Sequence, residues 1–482
     1  MLIRDVDIDG VARSVRIRGG RILAIAPTLP AEPGERAFDG GGGALLPGLH
    51  DHHIHLFAAA AARSSVDCGP PLDATGLAQR LGEAAVAAGS CWVRGVGYHD
   101  AVAGELDRDV LDAWLGDTPI RVQHCSGRLW IFNSAALDRL VGEASGQAGP
   151  DPLERRAGRL TGRLYDGDEW LKTRLVSQRP DLAGLSAELA RRGVTGVTDT
   201  GHANDLRTYE ALGAAQRRGD ILQDLLVFGG TELDDAPASA HICAGAVKFH
   251  LHDDDLPDPA EFTRAIARAH DADRNVAVHC VTVADLVVTL GCLADAGVRG
   301  GDRIEHASLV PPDLLDWIAA LGVTVVTQPH FIRERGDGYL RDLDPAEIPW
   351  LYRAGSLIAA GAPIAAGSDA PYGKPDPWAS MQASIHRRTA SGVTLGETER
   401  LTPEQALALY SGASDAPGGP SRQLRVGMVA DLCLLDRPWA AARRMLGQVA
   451  VTLTLKSGRP IWIAAPRESS APSAATAEPV DL

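Results

Sequence analysis

The chain has 482 residues, a formal net charge of −15 at pH 7 and an ordinary globular share of hydrophobic residues, 45%. This length predicts two domains or one large elaborated barrel. The acidic balance disfavours nucleic acid and anionic membranes as partners and favours a small molecule. The opening residues are charged, and no stretch approaches the ~20 apolar residues of a membrane span. We therefore expect a cytoplasmic protein that does not enter a membrane.

Both ends of the chain carry short alternating runs of apolar and polar residues. Near the start, "SVRIRGGRILAIAP" surrounds Gly19–Gly20 and predicts a hairpin. Near the end, "GMVADLCLLD" and "VTLTLKSGRPIWIA" have the same style. These runs predict one small β-sandwich domain assembled from residues 1–46 and 414–465.

The middle of the chain, 47–413, alternates strand-like runs with helical patterns, which is typical of a parallel α/β fold. Eight apolar runs can be distinguished: "ALLPGLHDHHIHL", "GVTGVTDTG", "DLLVFGG", "GAVKFH", "NVAVHCV", "DRIEHAS", "VTVVTQPHF" and "PIAAGSDAP". Eight such runs predict a (β/α)8 TIM barrel. A capping box at Thr402 and Gln405 predicts the start of one of its helices.

Two stretches fall outside this pattern. About 135 residues, roughly 57–192, separate the first run from the second, which is too long for a loop in a compact domain. We interpret them as a subdomain inserted over the mouth of the barrel. The Ser/Ala/Pro-rich end, 466–482, is predicted to be disordered.

The seven cysteines are scattered and form no C-x-x-C pair. An odd number without such spacing argues against a disulfide framework and against a zinc site made of four cysteines. We expect reduced, buried thiols.

Polar side chains stand near the ends of most of the predicted barrel strands, and burial without a partner costs on the order of 1–3 kcal/mol each. They are His53 and His55 on run one, Lys248 on run four, His279 on run five, His306 on run six, Gln328 and His330 on run seven and Asp369 on run eight. In a barrel these ends meet at one face. Taken singly, each histidine favours a structural role, Lys248 a snorkelling role and Asp369 a helix cap. The set predicts a metal site, and imidazole and carboxylate suit Zn²⁺ and also Fe, Ni or Mn.

Strand parity separates the four histidines of "PGLHDHHIHL". Alternate residues face opposite sides of a strand. His53 and His55 share one face with Asp51, whereas His50 and His52 share the other. We predict two inward ligands, a supporting carboxylate in Asp51 and two bystanders.

The order of these motifs resembles the amidohydrolase superfamily of metal-dependent hydrolases. An H-x-H pair on strand one, a lysine on four, histidines on five and six and an aspartate on eight follow its pattern. "TQPH" and "GSDAP" look most like its amidohydrolase-3, or YtcJ-like, branch, which includes N-substituted formamide deformylases. The resemblance covers about residues 1–465 and agrees with the barrel and the small β domain.

The resemblance implies a ligand set for one or two ions. His53, His55 and Asp369 would hold one ion, and His279 and His306 the other. Lys248, carboxylated by CO2, would join the two as a carbamate; alternatively it stays an amine near a single metal, since an ammonium has no lone pair to donate.

The resemblance also implies the reaction. A hydroxide activated by the metal would cleave an amide, formamide or N-acyl amine C–N bond other than a peptide bond. Asp369 would act as general base and then general acid. His330 would hydrogen-bond the substrate carbonyl or the oxyanion, with a structural role as the alternative.

Two alternatives stay open at this point. A deaminase or cyclic-amide hydrolase would use the same fold, but deaminases usually carry a Glu shortly after the strand-five histidine, where this chain has Cys280, Val281 and Thr282. A non-catalytic metal-binding scaffold is a hypothesis from another class, and the complete ligand set argues against it.

The substrate is not evident from the sequence. The stretch after Lys248 brings His250 and His252 in place of the usual acidic-glycine turn, and Arg128 replaces a histidine common in relatives. Candidate substrate contacts are Tyr98, His99, Asp100, His124, Arg128 and His330. A homodimer is the commonest alternative to a monomer.

Overall fold

The structure is a computed structural model. The residues that it describes are 1–70, 72–89, 91–142, 151–175, 180–252 and 255–465. The predicted disordered tail, 466–482, lies outside the described residues.

The chain opens with four strands: β1 (Leu2–Ile8), β2 (Val11–Arg18), β3 (Arg21–Ala26) and β4 (Ala37–Pro47). Strands β2 and β3 pair antiparallel around Gly19 and Gly20, which both have positive φ. The predicted hairpin is confirmed, because glycine adopts this conformation without the steric cost that a side chain adds.

A barrel strand, β5 (Leu49–Ile54), and the helix α1 (Leu56–Ala62) come next, followed by a separate small sheet with its own helices. Its elements are β6 (Val66–Asp67), α2 (Ala74–Ala88), β7 (Val93–Tyr98), α3 (Asp100–Ala103), α4 (Arg108–Trp114), β8 (Ile120–His124), β9 (Leu129–Phe132), α5 (Ser134–Gly142), β10 (Arg155–Arg156), β11 (Arg159–Leu160), β12 (Arg163–Tyr165) and α6 (Asp168–Arg174). Five strands pair in the order β12-β9-β8-β7-β6 and bury two hydrophobic clusters of their own. The predicted inserted subdomain is therefore present.

The barrel then continues with strands that are separated by helices in most places. They are α7 (Leu182–Arg191), β13 (Val194–Asp199), α8 (Leu206–Arg218), β14 (Asp224–Gly229), β15 (Ile242–His250), α9 (Pro259–Asp271), β16 (Val276–Cys280), α10 (Val283–Ala296), β17 (Arg303–His306), α11 (Pro312–Leu321), β18 (Thr324–Thr327), α12 (Phe331–Asp342), α13 (Ala354–Ala359), β19 (Ile364–Ala366), α14 (Pro377–His386) and α15 (Pro403–Ala408). Thr402 and Gln405 form the predicted capping box of α15.

Strand β5 and strands β13 to β19 form one eight-stranded parallel sheet. Each strand lies within one of the eight predicted runs or overlaps it. The first and last strands meet through their following residues: the Asp369 amide donates to the His53 carbonyl at 2.7 Å, and the His55 amide to the Ala370 carbonyl at 2.9 Å. The predicted (β/α)8 barrel is confirmed.

The chain ends in β20 (Leu432–Leu435), α16 (Trp439–Ala442), β21 (Val451–Lys456) and β22 (Arg459–Ile463). These strands join the opening ones in a seven-stranded sheet of order β22-β21-β20-β4-β1-β2-β3. Ile3 and Val15 from one end pack in the same cluster as Leu432 and Leu453 from the other. Both chain ends therefore build one β unit, while its exact limits stay a prediction.

The inserted subdomain touches the barrel next to the C-terminal ends of its strands. A Cβ at Gly127 would lie 2.5 Å from the Tyr372 hydroxyl, so the 124–128 turn sits directly on that ring. Helix α7 falls in the range expected for the insertion, yet Leu185 and Leu189 belong to the barrel's cluster. The inserted subdomain covers one side of the barrel mouth, whereas helix α7 packs as part of the barrel.

All seven cysteines are free, as predicted. Four of them are buried, namely Cys68, Cys280, Cys292 and Cys433, whereas Cys91 is exposed. Within the described ranges, every helix is too short or too polar to traverse a bilayer.

Candidate metal centre

The barrel register brings the predicted strand-end residues to one face. His250 on β15 lies beside His279 on β16, and Cys280 lies beside His306 on β17. Imidazole rings make a continuous series across this face: centroids are 4.5 Å apart for His279 and His306 and 4.8 Å apart for His306 and His53. Residues that are far apart in the chain thus share one site.

Asp369 is the centre of this group. Its Oδ1 lies 3.3 Å from His55 Nε2 and 3.4 Å from His53 Nε2, and its Oδ2 lies 3.9 Å from His306 Nδ1. Donor atoms of His53, His306 and Asp369 all lie within 4.8 Å of one another. Two ligands at the usual zinc distances in a tetrahedral shell are about 3.3 Å apart. The spacings from Asp369 to His53 and His55 match that value.

Two polar atoms of the group are buried without hydrogen-bond partners in the described part of the protein. Asp369 Oδ1 and Lys248 Nζ both lack one. Buried polar atoms are normally satisfied, so an orphaned carboxylate oxygen and an orphaned amine on one face indicate a missing ligand. The residues therefore fit a divalent metal ion.

Supporting residues orient the imidazoles. His53 Nδ1–H donates to Glu305 Oε2 at 2.5 Å, and His306 Nδ1–H donates to Gln328 Oε1 at 2.8 Å. Each bond leaves Nε2 with its lone pair available. Arg303 in turn donates to Glu305 at 2.7 Å. This arrangement is typical of metal-ligating histidines.

Two members of the group sit in strained backbone. His306 has φ +72° and Asp369 has φ +51°, the left-handed region that side chains disfavour. Such strain costs on the order of 1–3 kcal/mol and clusters at functional sites. The surrounding barrel therefore holds both side chains in place against a local conformational cost.

The electrostatics keep two imidazoles neutral. Burial lowers the pKa of His306 to about 3, and burial together with His306 holds the pKa of His279 well below its ordinary value. Burial opposes ionisation of Asp369, but His53 and His55 beside it hold its pKa well below its usual range. Neutral imidazoles and an ionised carboxylate are the forms that bind metal.

His53 differs from its neighbours. Burial disfavours its charged form, yet Glu305 and Asp369 together raise its pKa. Only the neutral imidazole binds a metal, so a metal at His53 would compete with the proton that these carboxylates favour.

Lys248 lies on the same face, 8% exposed. Burial lowers the pKa of its ammonium to about 8, with Glu305 opposing and Arg303 assisting. A neutral amine is the form that reacts with CO2, so the position is compatible with the expected carbamate.

The four histidines of the first strand separate as parity predicts. His53 and His55 meet at Asp369, whereas His50 and His52 stack on each other with centroids 4.5 Å apart. His50 Nε2 lies 2.9 Å from the Thr198 hydroxyl.

Asp51 links the first and last barrel strands. Its Oδ1 accepts from the Ser368 amide at 2.8 Å and from the His53 amide at 3.2 Å. It therefore fixes the backbone on both sides of the site, which is the supporting position expected for it.

The structure corrects the expectation for His330. Its Nε2–H donates to the Ser368 carbonyl at 3.0 Å, and its Nδ1 accepts from the Ser380 hydroxyl at 3.1 Å. With both ring nitrogens occupied by protein, His330 has no hydrogen bond left for a substrate carbonyl. It positions the residue before Asp369.

The structure also corrects Tyr98. Its side chain is fully buried in a hydrophobic cluster of the inserted subdomain, and its hydroxyl donates to the Gly104 carbonyl at 2.5 Å. A buried residue with a satisfied hydroxyl does not contact substrate.

The other predicted substrate contacts are engaged at the rim. His99 caps α3 by accepting from the Ala101 amide, Arg128 pairs with Asp166 at 2.8 Å, and His124 lies 2.9 Å from the Ser126 hydroxyl. Asp100 is exposed. None of these contacts reaches Asp369.

Sequence reasoning missed three residues. Glu305 and Arg303 lie on β17 beside His306, where two charged residues inside a buried strand were a sufficient signal. His202 follows β13 and lies 4.8 Å from His250, ring to ring. A histidine directly after a barrel strand was its signal.

Comparison with known proteins gives a consistent result. A model of the Amidohydrolase family matches residues 36–462. The N-substituted formamide deformylase of Arthrobacter pascens is 26% identical over 95% of this chain and 96% of its own length. YtcJ of Bacillus subtilis (strain 168), an amidohydrolase by name, is 23% identical over 77% of this chain and 79% of its own.

Solved structures share the fold. A metal-dependent hydrolase from Pyrococcus horikoshii OT3 superposes with a TM-score of 0.73 at 20% identity, covering 93% of this chain and 99% of that one. The fold of most of this chain is therefore shared with a solved structure.

Proposed function

The chain belongs to the amidohydrolase family, and on that premise we propose that it is a metal-dependent hydrolase of non-peptide C–N bonds in amides, formamides or N-acyl amines. The observation that carries the proposal is the buried group around Asp369, whose donor spacing of 3.3–3.4 Å matches a zinc shell. The formamide-cleaving relative supports the bond type.

His53, His55 and Asp369 would hold one ion, and His279 and His306 a second. Nitrogen and carboxylate donors without a thiolate suit Zn²⁺, with Fe, Ni or Mn as alternatives. A bound metal would lower the pKa of water toward about 7 and polarise the substrate carbonyl.

Lys248 would join the two ions as a carbamate. Its nitrogen is buried and lacks a hydrogen bond, and a carboxylated amine would turn that orphan into an anionic ligand. Arg303 is close enough to help lower the pKa of the Lys248 ammonium, and the same positive charge would favour an anion at this position.

Asp369 would transfer the proton between the attacking water and the leaving nitrogen. Its carboxylate is ionised at neutral pH, because His53 and His55 hold its pKa low. It would accept the proton of the attacking water and deliver it to the leaving nitrogen, which has to be protonated to depart. Asp51 and His330 hold the Ser368 peptide unit and so fix the direction of the Asp369 side chain.

Deamination is less compatible with the chain after β16. The first acidic residue after His279 is Asp285, whose Oδ2 accepts from the Val281 and Thr282 amides and so caps α10. A carboxylate used in this way is not available to carry a proton to a ring nitrogen. This favours simple amide hydrolysis.

A screen of N-formyl amines, N-acyl amines and lactams with the zinc-loaded protein tests the proposal. We expect amine release that stops after chelation and returns with added zinc. Asp369→Asn should lower kcat/KM by at least about 100-fold. Ammonia release from amino-heterocycles without any amide turnover would overturn the proposal in favour of a deaminase.

A further inference from the structure

One face of the five-stranded sheet in the inserted subdomain carries two arginines side by side. Arg94 on β7 is the register partner of Arg121 on the parallel strand β8. Their neighbours in the strands, Val93 and Val122, point to the opposite face and into the subdomain's hydrophobic cluster. The two guanidinium groups therefore project from the same face.

In the part of the chain that the structure describes, neither of these arginines forms an ion pair, and the negative charge that acts on both guanidinium groups is the more distant carboxylate of Asp168. Arg94 donates to the Ser65 hydroxyl at 2.7 Å and to Gln123 Oε1 at 3.5 Å. Arg121 Nε is buried without a hydrogen-bond partner. Like charges directly opposite one another on neighbouring strands are destabilising, and buried charges are normally paired. The pair therefore has the charge and the open N–H groups to receive an anion.

Trp130 on β9 holds both groups in place. Each guanidinium carbon lies 5.4 Å from the centroid of the Trp130 ring. The Trp130 indole N–H donates to Asp168 at 2.9 Å, so that carboxylate lies near the arginines and bonds the ring. Stacking pre-organises the two cations while leaving N–H groups for a ligand.

This face is connected to the candidate metal centre by a series of contacts. Gln123 Nε2 donates to the Gly127 carbonyl at 3.1 Å, and Gly127 lies against the Tyr372 hydroxyl. The Tyr372 ring stands edge-on to His55 with centroids 5.7 Å apart. Burial, Asp369 and Asp168 raise the pKa of the Tyr372 phenol, and Arg94 is close enough to oppose them. A short path of contacts thus joins the arginines to a candidate metal ligand.

We propose that Arg94 and Arg121 form a subsite for a carboxylate on the substrate. The substrates would then be N-acyl or N-formyl compounds that carry a carboxylate beyond the scissile bond, as N-acyl amino acids do. Paired guanidinium groups bind a carboxylate through charge-assisted, planar hydrogen bonds. The inference rests on the proposed function for the bond cleaved, but the anion site can be measured without turnover.

Binding of two sulfonamides to the zinc-loaded protein tests the subsite. N-(methylsulfonyl)glycine carries a carboxylate, N-ethylmethanesulfonamide lacks it, and neither contains an acyl C–N bond. By calorimetry we expect the carboxylate to bind at least about tenfold more tightly, and Arg94→Gln and Arg121→Gln each to remove that preference. Because a carboxylate also binds zinc, the arginine variants and not the wild type decide the result.

Arg156→Gln is the matched control, since Arg156 belongs to the same subdomain and its side chain is 63% exposed. It should keep the full preference. An unchanged preference in both Arg94→Gln and Arg121→Gln overturns the subsite, even if amides are hydrolysed. Arginine-dependent binding of inorganic phosphate without binding of the glycine compound also overturns it, in favour of an inorganic anion site. If the carboxylate binds in an arginine-dependent way but no amide is hydrolysed, the proposed function is wrong and the subsite still stands.

Discussion

At the scale of single residues, Glu305 fixes how the His53 imidazole faces the candidate metal position. Its carboxylate is fully buried between the His53 imidazole and the Arg303 guanidinium. Glu305→Gln removes the charge, weakens the bond to His53 and leaves Arg303 buried without a counter-charge. We predict a 10- to 100-fold loss of zinc affinity, measured by competition with a chromogenic chelator. The exposed Glu83→Gln should bind zinc like the wild type, and equal affinities in both variants would contradict the assigned role.

In the proposed two-ion site, Lys248 would decide whether one ion or two can bind. Lys248→Met keeps the length of the side chain but cannot be carboxylated. We predict that metal content, measured by mass spectrometry after loading in bicarbonate, falls from two ions per chain to one. Lys374→Met, an exposed site on the same barrel, should retain two. Two ions per chain in Lys248→Met would exclude the bridging carbamate.

The site residues that the sequence predicts are those that can be recognised from the pattern of single strands. Histidines and the aspartate at strand ends can be recognised one strand at a time. Arg94 and Arg121 are brought side by side only by the register of β7 against β8. Both ring nitrogens of His330 are engaged in hydrogen bonds, one with the Ser380 hydroxyl on a distant helix and one with the Ser368 carbonyl. Tyr98 is of a residue type that often contacts substrates, and only its packing shows that it belongs to a hydrophobic core. Such facts depend on tertiary contacts that no local pattern contains.

At the scale of elements, the turn from β19 to Asp369 is packed directly on the first barrel strand. A Cβ at Gly367 would lie 2.3 Å from the His53 backbone nitrogen, a contact that cannot be relieved by a side-chain rotation. We predict that Gly367→Ala destabilises the fold by about 1–3 kcal/mol and weakens zinc binding, because Asp369 moves with the turn. Urea denaturation and zinc titration measure both. Gly82→Ala, in helix α2 with no neighbour closer than 4.0 Å, should be neutral or stabilising.

The barrel strands were predictable because each is a short apolar run bounded by turn residues, and most of them are followed by a helix. The elements of the insertion were recognised only in part: "CWVRGVGYHD" and "PIRVQHCSGRLWIF" contain β7, β8 and β9. The two-residue strands β6, β10 and β11 are set by pairing partners and carry no periodic signal. Strands that form long apolar runs can therefore be predicted from the sequence, whereas the two-residue strands depend on tertiary pairing.

At the scale of the whole molecule, the candidate ligands come from strands at both ends of the barrel, from His53 to Asp369. The barrel closes where these residues meet. The candidate metal position therefore coincides with the hydrogen bonds that join the first and last strands of the barrel. Because ligands this far apart in the chain converge only in the folded state, metal binding should be coupled to the native structure.

The most direct test of the account is the zinc content of purified, zinc-loaded protein, compared for the wild type, His53→Ala and His50→Ala. The structure places His53 at Asp369 and turns His50 away toward Thr198. We predict two zinc ions per chain in the wild type, the same number in His50→Ala, and a loss of at least one ion in His53→Ala. A wild type that holds no zinc, or a loss in His50→Ala and not in His53→Ala, would contradict the metal centre described above.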